Sequence, residues 1–126
     1  MKIPSAHEAK EKIQHYCAYQ ERSHQEVRNK LYEFGLHRNN VDEIISDLIT
    51  NGFLNEERFA KAFAGGKFRM KKWGRTRITN ALELKGVSKN CILIALKEID
   101  ENSYVGTLQQ LLSEKSRIVE WLDWYI

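Results

Sequence analysis

Apolar residues recur along this chain in steps of three and four, the spacing that lines up side chains on one face of a helix. Val27, Leu31 and Phe34 make one such stripe, and Val41, Ile44, Ile45, Leu48 and Ile49 make another. Upstream, Ile13, Tyr16 and Cys17 mark the buried side of a first helix. It opens at Ser5, with Glu8 three residues on, and runs to about Tyr19. Ser23 with Glu26 repeats that capping-box spacing and opens the second helix. Gly35 stands where a left-handed residue is wanted after it. Asn39 or Asn40 is expected to cap the third helix, which Asn51-Gly52 ends.

A second set of three follows. Asn55 opens it, with Glu56 and Glu57 in the first turn, where the positive helix end favours acids. Phe59, Ala60, Phe63 and Met70 are expected on its inner face. Gly65-Gly66 should interrupt this helix as a kink or a close helix contact, since each glycine costs about 1 kcal/mol relative to alanine. Gly74 breaks the chain before a helix over about Arg75 to Lys85, which Gly86 ends. Ser88 caps the next, with Ile92, Ala95, Leu96 and Ile99 as its apolar face. Thr107 to Ile126 reads as one more helix, ending in the aromatic cluster Trp121 to Ile126, which is either docked on a neighbouring unit or a self-association patch.

The two sets are copies. Sliding the chain by 51 residues puts Val27 on Ile78, Leu31 on Leu82, Gly35 on Gly86, Leu36 on Val87, Val41 on Ile92, Ile45 on Leu96 and Leu48 on Ile99. The core positions and the turn glycine match, while polar positions vary freely, as expected of two copies of one folding unit. The fold expected is therefore all-α, built of tandem three-helix, helix-turn-helix-like repeats. Residues 1–54 form the first unit, 55–102 a basic second unit, and 103–126 a partial third.

Composition supports this and removes other classes. The single proline, Pro4, precedes the first helical pattern, and 42% apolar with 29% charged residues is ordinary for a globular protein. No apolar run approaches membrane-spanning length, and Met1-Lys2-Ile3-Pro4-Ser5 leads into charge, so a cytoplasmic protein is expected, with no membrane partner. Cys17 and Cys91 fall in no CxxC pattern and read as reduced cysteines. The four histidines form no metal-binding spacing, so no metal or cofactor is expected. No nucleophile elbow, phosphate loop or dinucleotide fingerprint occurs, which argues against an enzyme or a small-molecule substrate. Gly65-Gly66-Lys67 lacks the glycine spacing and the following Ser or Thr of a phosphate loop.

The net charge of +3 conceals an asymmetry. Between Arg58 and Leu82 there is no acidic residue, but Arg58, Lys61, Lys67, Arg69, Lys71, Lys72, Arg75 and Arg77 are all there. Such a stretch is either a solvated basic helix or a footprint for a polyanion or an acidic protein face. Phe68 and Trp73 lie inside it; an aromatic beside cations can stack on bases, and a tryptophan at a helix junction can equally be core. The candidate binding residues are Lys67, Arg69, Lys71, Lys72, Arg75 and Arg77, with Trp73 beside them.

Three motifs then carry a resemblance. Glu21-Arg22-Ser23 with Glu26, Val27, Lys30, Leu31 and Gly35 resembles a stretch of RecX proteins. Gly52-Phe53-Leu54-Asn55-Glu56-Glu57-Arg58-Phe59-Ala60 is similar to their Gly-Leu-Leu-(Asp/Asn)-Asp-x-Arg-Phe-Ala motif. Gly74-Arg75-Thr76-Arg77-Ile78, with Leu82, Lys85, Gly86 and Val87, is similar to their Gly-x-x-Arg-Ile…Leu…Lys-Gly-(Ile/Val) motif. The match covers roughly residues 9–100. It implies an elongated, curved molecule and a regulator that binds RecA and the RecA–single-stranded DNA filament, inhibiting its ATPase and recombinase activity in DNA repair and recombination. Duplex DNA is a second form it could contact. The family pattern has three repeats, whereas here the third stops after one helix, so a shortened or truncated member is expected. Arg22 and Arg58 belong to the motifs and are expected to tie helices together through carbonyls or acids. Two other readings stay open at this point: a non-catalytic helix-turn-helix DNA-binding protein, and a helical scaffold that binds protein alone.

Overall fold

Serine oxygens start several of the helices, as the spacing of the acids behind them suggests. In the computed structural model, which describes residues 5–99, Ser5 Oγ accepts the Glu8 amide at 3.2 Å, Ser23 Oγ accepts that of Glu26 at 3.0 Å, and Ser88 Oγ that of Cys91 at 3.4 Å. The resulting elements are α1 (Ala6–Tyr19), α2 (His24–Glu33), α3 (Arg38–Thr50), α4 (Glu56–Gly66), a π-helical turn (Lys67–Lys71), α5 (Arg75–Leu84) and α6 (Lys89–Lys97). The described residues are all-helical, as expected. No helix among them is long and apolar enough to cross a membrane.

Packing divides the chain into two compact units that meet between Phe59 and Ala60. In the first, α2 packs on α3 and α1 packs on both. Ala9, Ile13 and Cys17 from α1, Val27 and Leu31 from α2, and Val41, Ile44, Ile45 and Leu48 from α3 close the core, with Leu36 and Leu54 from the connections. In the second unit α5 packs on α6, and Ala60, Ala64, Phe68, Ile78, Leu82, Val87, Ile92 and Ala95 are buried.

The 51-residue repeat is visible in the backbone. Helix α5 lies at that offset from α2 at both ends, and α6 begins at that offset from α3. Gly35 and Gly86 both take left-handed backbone, at φ +85° and +78°. Each sends its amide back three residues, to Tyr32 and Glu83 oxygens at 2.9 and 3.0 Å. After α5 the Val87 amide also reaches the Leu82 carbonyl at 3.1 Å, completing a Schellman stop.

Four expectations are corrected. Helix α3 starts at Arg38 behind His37, which makes no side-chain cap bond, so neither Asn39 nor Asn40 is the cap. Buried Leu36 leaves a single residue, His37, before the helix, and both asparagines fall inside its first turn. Ile49 stands 46% exposed on the outer edge of its helix. Gly65-Gly66 does not break the fourth helix, because Gly66 keeps right-handed helical angles (φ −63°, ψ −47°) and the chain winds on into the π turn. Finally, Met70 is 81% exposed and Phe68 is only 2% exposed, the reverse of the expected inner face. The buried row runs Ala60, Ala64, Phe68, in steps of four. Steps of four drift about 40° per step on an α-helix, and the wider π turn compensates, carrying Phe68 inward and Met70 out. The helix expected over Thr107–Ile126 and the partial third repeat at 103–126 lie outside the described residues.

Candidate nucleic-acid interface

The basic segment is shaped by how the fourth helix ends. After the π turn, Lys72 takes left-handed backbone at φ 58°, ψ 36°, the one non-glycine among the described residues to do so. The Lys72 amide returns to the Lys67 carbonyl, and the Trp73 amide reaches that same oxygen at 3.2 Å. Gly74, extended at φ −82°, ψ 176°, then starts α5. The chain therefore folds back so that Trp73 and the first turns of α5 lie beside the end of α4.

This reversal gathers part of the predicted set. Arg77 Cζ lies 4.3 Å from the centre of the Trp73 ring, and Lys67 Nζ lies 4.9 Å from it. The Phe63 ring meets Trp73 edge-on, with centroids 6.3 Å apart and planes at 70°. Lys67 also lies 5.5 Å from Phe63, and Lys85 5.7 Å from it. Both distances fall within the range in which a ring's negative face attracts a cation. Trp73 is half-buried, with cations against its ring.

Arg69 goes elsewhere. A methyl group placed on Gly65 would meet its guanidinium at 2.8 Å, so Arg69 lies across that glycine. There it lines a groove of about 170 Å³ with Lys61, Gly65, Phe68, Ala95, Glu98 and Ile99. Lys61 and Glu98 form an ion pair across this groove at 3.2 Å. Lys71 and Arg75 are exposed, and Lys72 is half-buried at the reversal. Phe68, an aromatic of the same segment, belongs to the core.

Sequence reasoning missed Phe63 and Lys85 as members of the cluster, although the repeat held a signal for them. At the 51-residue offset Lys12 falls on Phe63, Tyr16 on Lys67, Arg22 on Trp73 and Phe34 on Lys85. In the first unit Lys12 lies 5.9 Å from the Phe34 ring and Arg22 3.7 Å from the Tyr16 ring. The same pairs of positions thus face each other in both units, with cation and aromatic exchanged.

The motif arginines have structural work. Arg22 Nε donates to the Tyr16 carbonyl at 3.0 Å, closing the end of α1. Arg58 Nη2 donates to the Gly52 carbonyl at 2.9 Å, and its Nε donates to the Glu21 carboxylate. Among the described residues no group of three or more His, Cys, Asp or Glu side chains is placed to hold a metal ion.

Comparison with known proteins agrees with this architecture. Residues 55–96 match the family model described as RecX, second three-helix domain. The chain is 30% identical over 105 residues to a "Regulatory protein RecX" of Lactococcus lactis subsp. cremoris, covering 82% of this chain and 39% of that protein. It is 31% identical over 99 residues to one from Clostridium perfringens, covering 79% and 46%. The chain therefore spans less than half the length of these two relatives. In fold it is similar to the crystal structure of RecX from Lactobacillus salivarius, with a TM-score of 0.74 at 23% identity over 89% of this chain and 75% of that one. A second crystal structure of regulatory protein RecX aligns with a TM-score of 0.70 at 20% identity, covering 89% and 59%.

Proposed function

This chain belongs to the RecX family, and from that premise we propose that it is a non-catalytic regulator that binds RecA and the RecA–single-stranded DNA filament and inhibits its ATPase and recombinase activity. The observation that carries the reading is the basic second unit. Residues 60–99 hold ten cationic and two acidic side chains, against eight and ten in residues 1–59. A filament on DNA is a dense line of phosphates, and cations concentrated in one unit give a polar ligand that such a line orients.

In this reading 1–54 and 55–102 are the two repeat units, 103–126 begins a third, and the protein works in the cytoplasm. Lys67, Lys71, Lys72, Arg75 and Arg77 face the nucleic acid, with Arg69 set apart on its groove. Inhibition needs no chemistry from the regulator. A protein that binds one filament state better than another shifts the population toward it by the difference in affinity.

The test is the DNA-dependent ATPase rate of cognate RecA on single-stranded DNA as this protein is titrated in. A fall at sub-stoichiometric protein is expected. An unchanged rate up to excess protein contradicts the proposal.

A further inference from the structure

The first and second units solve the same local problem differently. At the end of α1 the Tyr16 carbonyl is closed by a side chain, the Arg22 guanidinium at 3.0 Å, while the same cation covers the Tyr16 ring. At the equivalent place in the second unit the Lys67 carbonyl is closed by backbone, the amides of Lys72 and Trp73. That solution requires the left-handed Lys72, a conformation that is strained for a residue other than glycine. Strain held at one position against an available glycine points to function there. Its effect is that two backbone amides close this carbonyl, where the first unit uses a side-chain cation.

The aromatic-cation pairs of the second unit hold like charges together. Lys67, Arg77 and Lys85 all lie within 5.7 Å of the centre of Trp73 or Phe63, or of both. Three cations on two touching rings repel one another, and the rings offset part of that repulsion and restrict the side chains. An anion that binds here meets cations whose side chains the two rings already restrict, so less ordering remains to be done on binding. The ring of Trp73, with Lys67 and Arg77 against it, is committed to cations.

We propose that Lys67, Arg77 and Lys85, held on Trp73 and Phe63, form a phosphodiester-binding cradle in which Trp73 positions the cations and does not stack on a base. This rests on the reading that the second unit contacts nucleic acid. The ligand is a single-stranded sugar-phosphate backbone, taken without regard to base.

The experiment uses the full chain, a fluorescent oligothymidylate and an oligomer of equal length built of abasic sites, with anisotropy followed over a salt series. The two oligomers are expected to bind within about twofold of each other, since phosphate contacts carry the affinity. Trp73→Leu weakens both about threefold, through loss of the ring that holds the cations, and Trp73→Phe restores part of the loss. Arg77→Gln, at an exposed position, weakens both and lowers the salt slope by about 0.7, the share of one phosphate contact on a single strand. This variant decides the matter even if Trp73→Leu fails to fold. An abasic oligomer bound more than about tenfold more weakly, or a Trp73→Leu loss confined to the base-bearing oligomer, overturns the proposal in favour of stacking. Equal binding of both oligomers that neither variant changes overturns the cradle alone. Failure of both oligomers to bind overturns the nucleic-acid reading along with it.

Discussion

Ser23 shows how much one side chain can decide. It is 1% exposed, its oxygen holds the Glu26 amide, and it starts α2. Ser23→Ala should cost about 1 kcal/mol of stability in chemical denaturation. Leu31 and Leu82 are fully buried and occupy equivalent places in the two units. Truncating either to alanine should cost about 3 kcal/mol, because each leaves a cavity that its unit cannot refill. Cys17 carries a pH signature. Burial pushes its thiol up and Glu21 adds to this, against the pull of Arg22 and Arg58. The folded chain therefore keeps a proton that the unfolded chain loses. This contribution is intact below the ordinary thiol pKa of about 8.5 and is lost as pH rises through that range and beyond. Denaturation followed from pH 7 to 10 should show a shallower alkaline decline in Cys17→Ala than in the parent chain. An equal decline in both would mean that other groups set it.

At the scale of the element, the departures at the end of the fourth helix have one physical source. Capping serines, turn glycines and the apolar steps of α2, α3, α5 and α6 are local signals, and they were legible because a helix end must satisfy its own amides within a few residues. The end of the fourth helix was not legible. A π turn has no residue signature of its own, and the rule of three and four places Met70 inside, where the wider turn turns it outward. A left-handed lysine is equally invisible, since glycine is what such a position ordinarily asks for. Arg69 could not be separated from its neighbours for the same reason, because its direction depends on that winding. Two substitutions probe this element. Gly66→Ala should raise stability by about 0.5–1 kcal/mol, since Gly66 is right-handed helical and nothing lies within 4 Å of an added methyl. Gly86→Ala, with equal space but φ +78°, should lower it by about 1 kcal/mol. Thermal melts of the pair separate backbone conformation from packing, since neither methyl meets a neighbour.

On the scale of the whole molecule, the repeat relates the two units to each other. Two units at a 51-residue offset keep most of the same buried positions and the same left-handed glycine, so much of the core could be read by sliding the sequence on itself. The aromatic-cation pairs fall at the same offset with their members exchanged, a signal that is recognised only once distances are known. Charge divides along the same boundary, and the proposed contact of the second unit with nucleic acid rests on that division. If about four of its cations meet phosphates, the logarithm of affinity for single-stranded DNA should fall against that of salt with a slope near −3. Salt-insensitive binding would mean that the basic segment faces something other than phosphate.

The most direct test of the central claim is the partition of labelled protein among three surfaces at one salt concentration: free RecA, naked single-stranded DNA, and preassembled RecA filaments on that DNA. A filament regulator with a basic second unit should bind the filament most tightly, with its affinity reduced when Lys67, Lys71, Arg75 and Arg77 are changed together to glutamine. Binding to naked DNA that RecA does not strengthen, or filament binding that survives the loss of those four charges, would contradict the account.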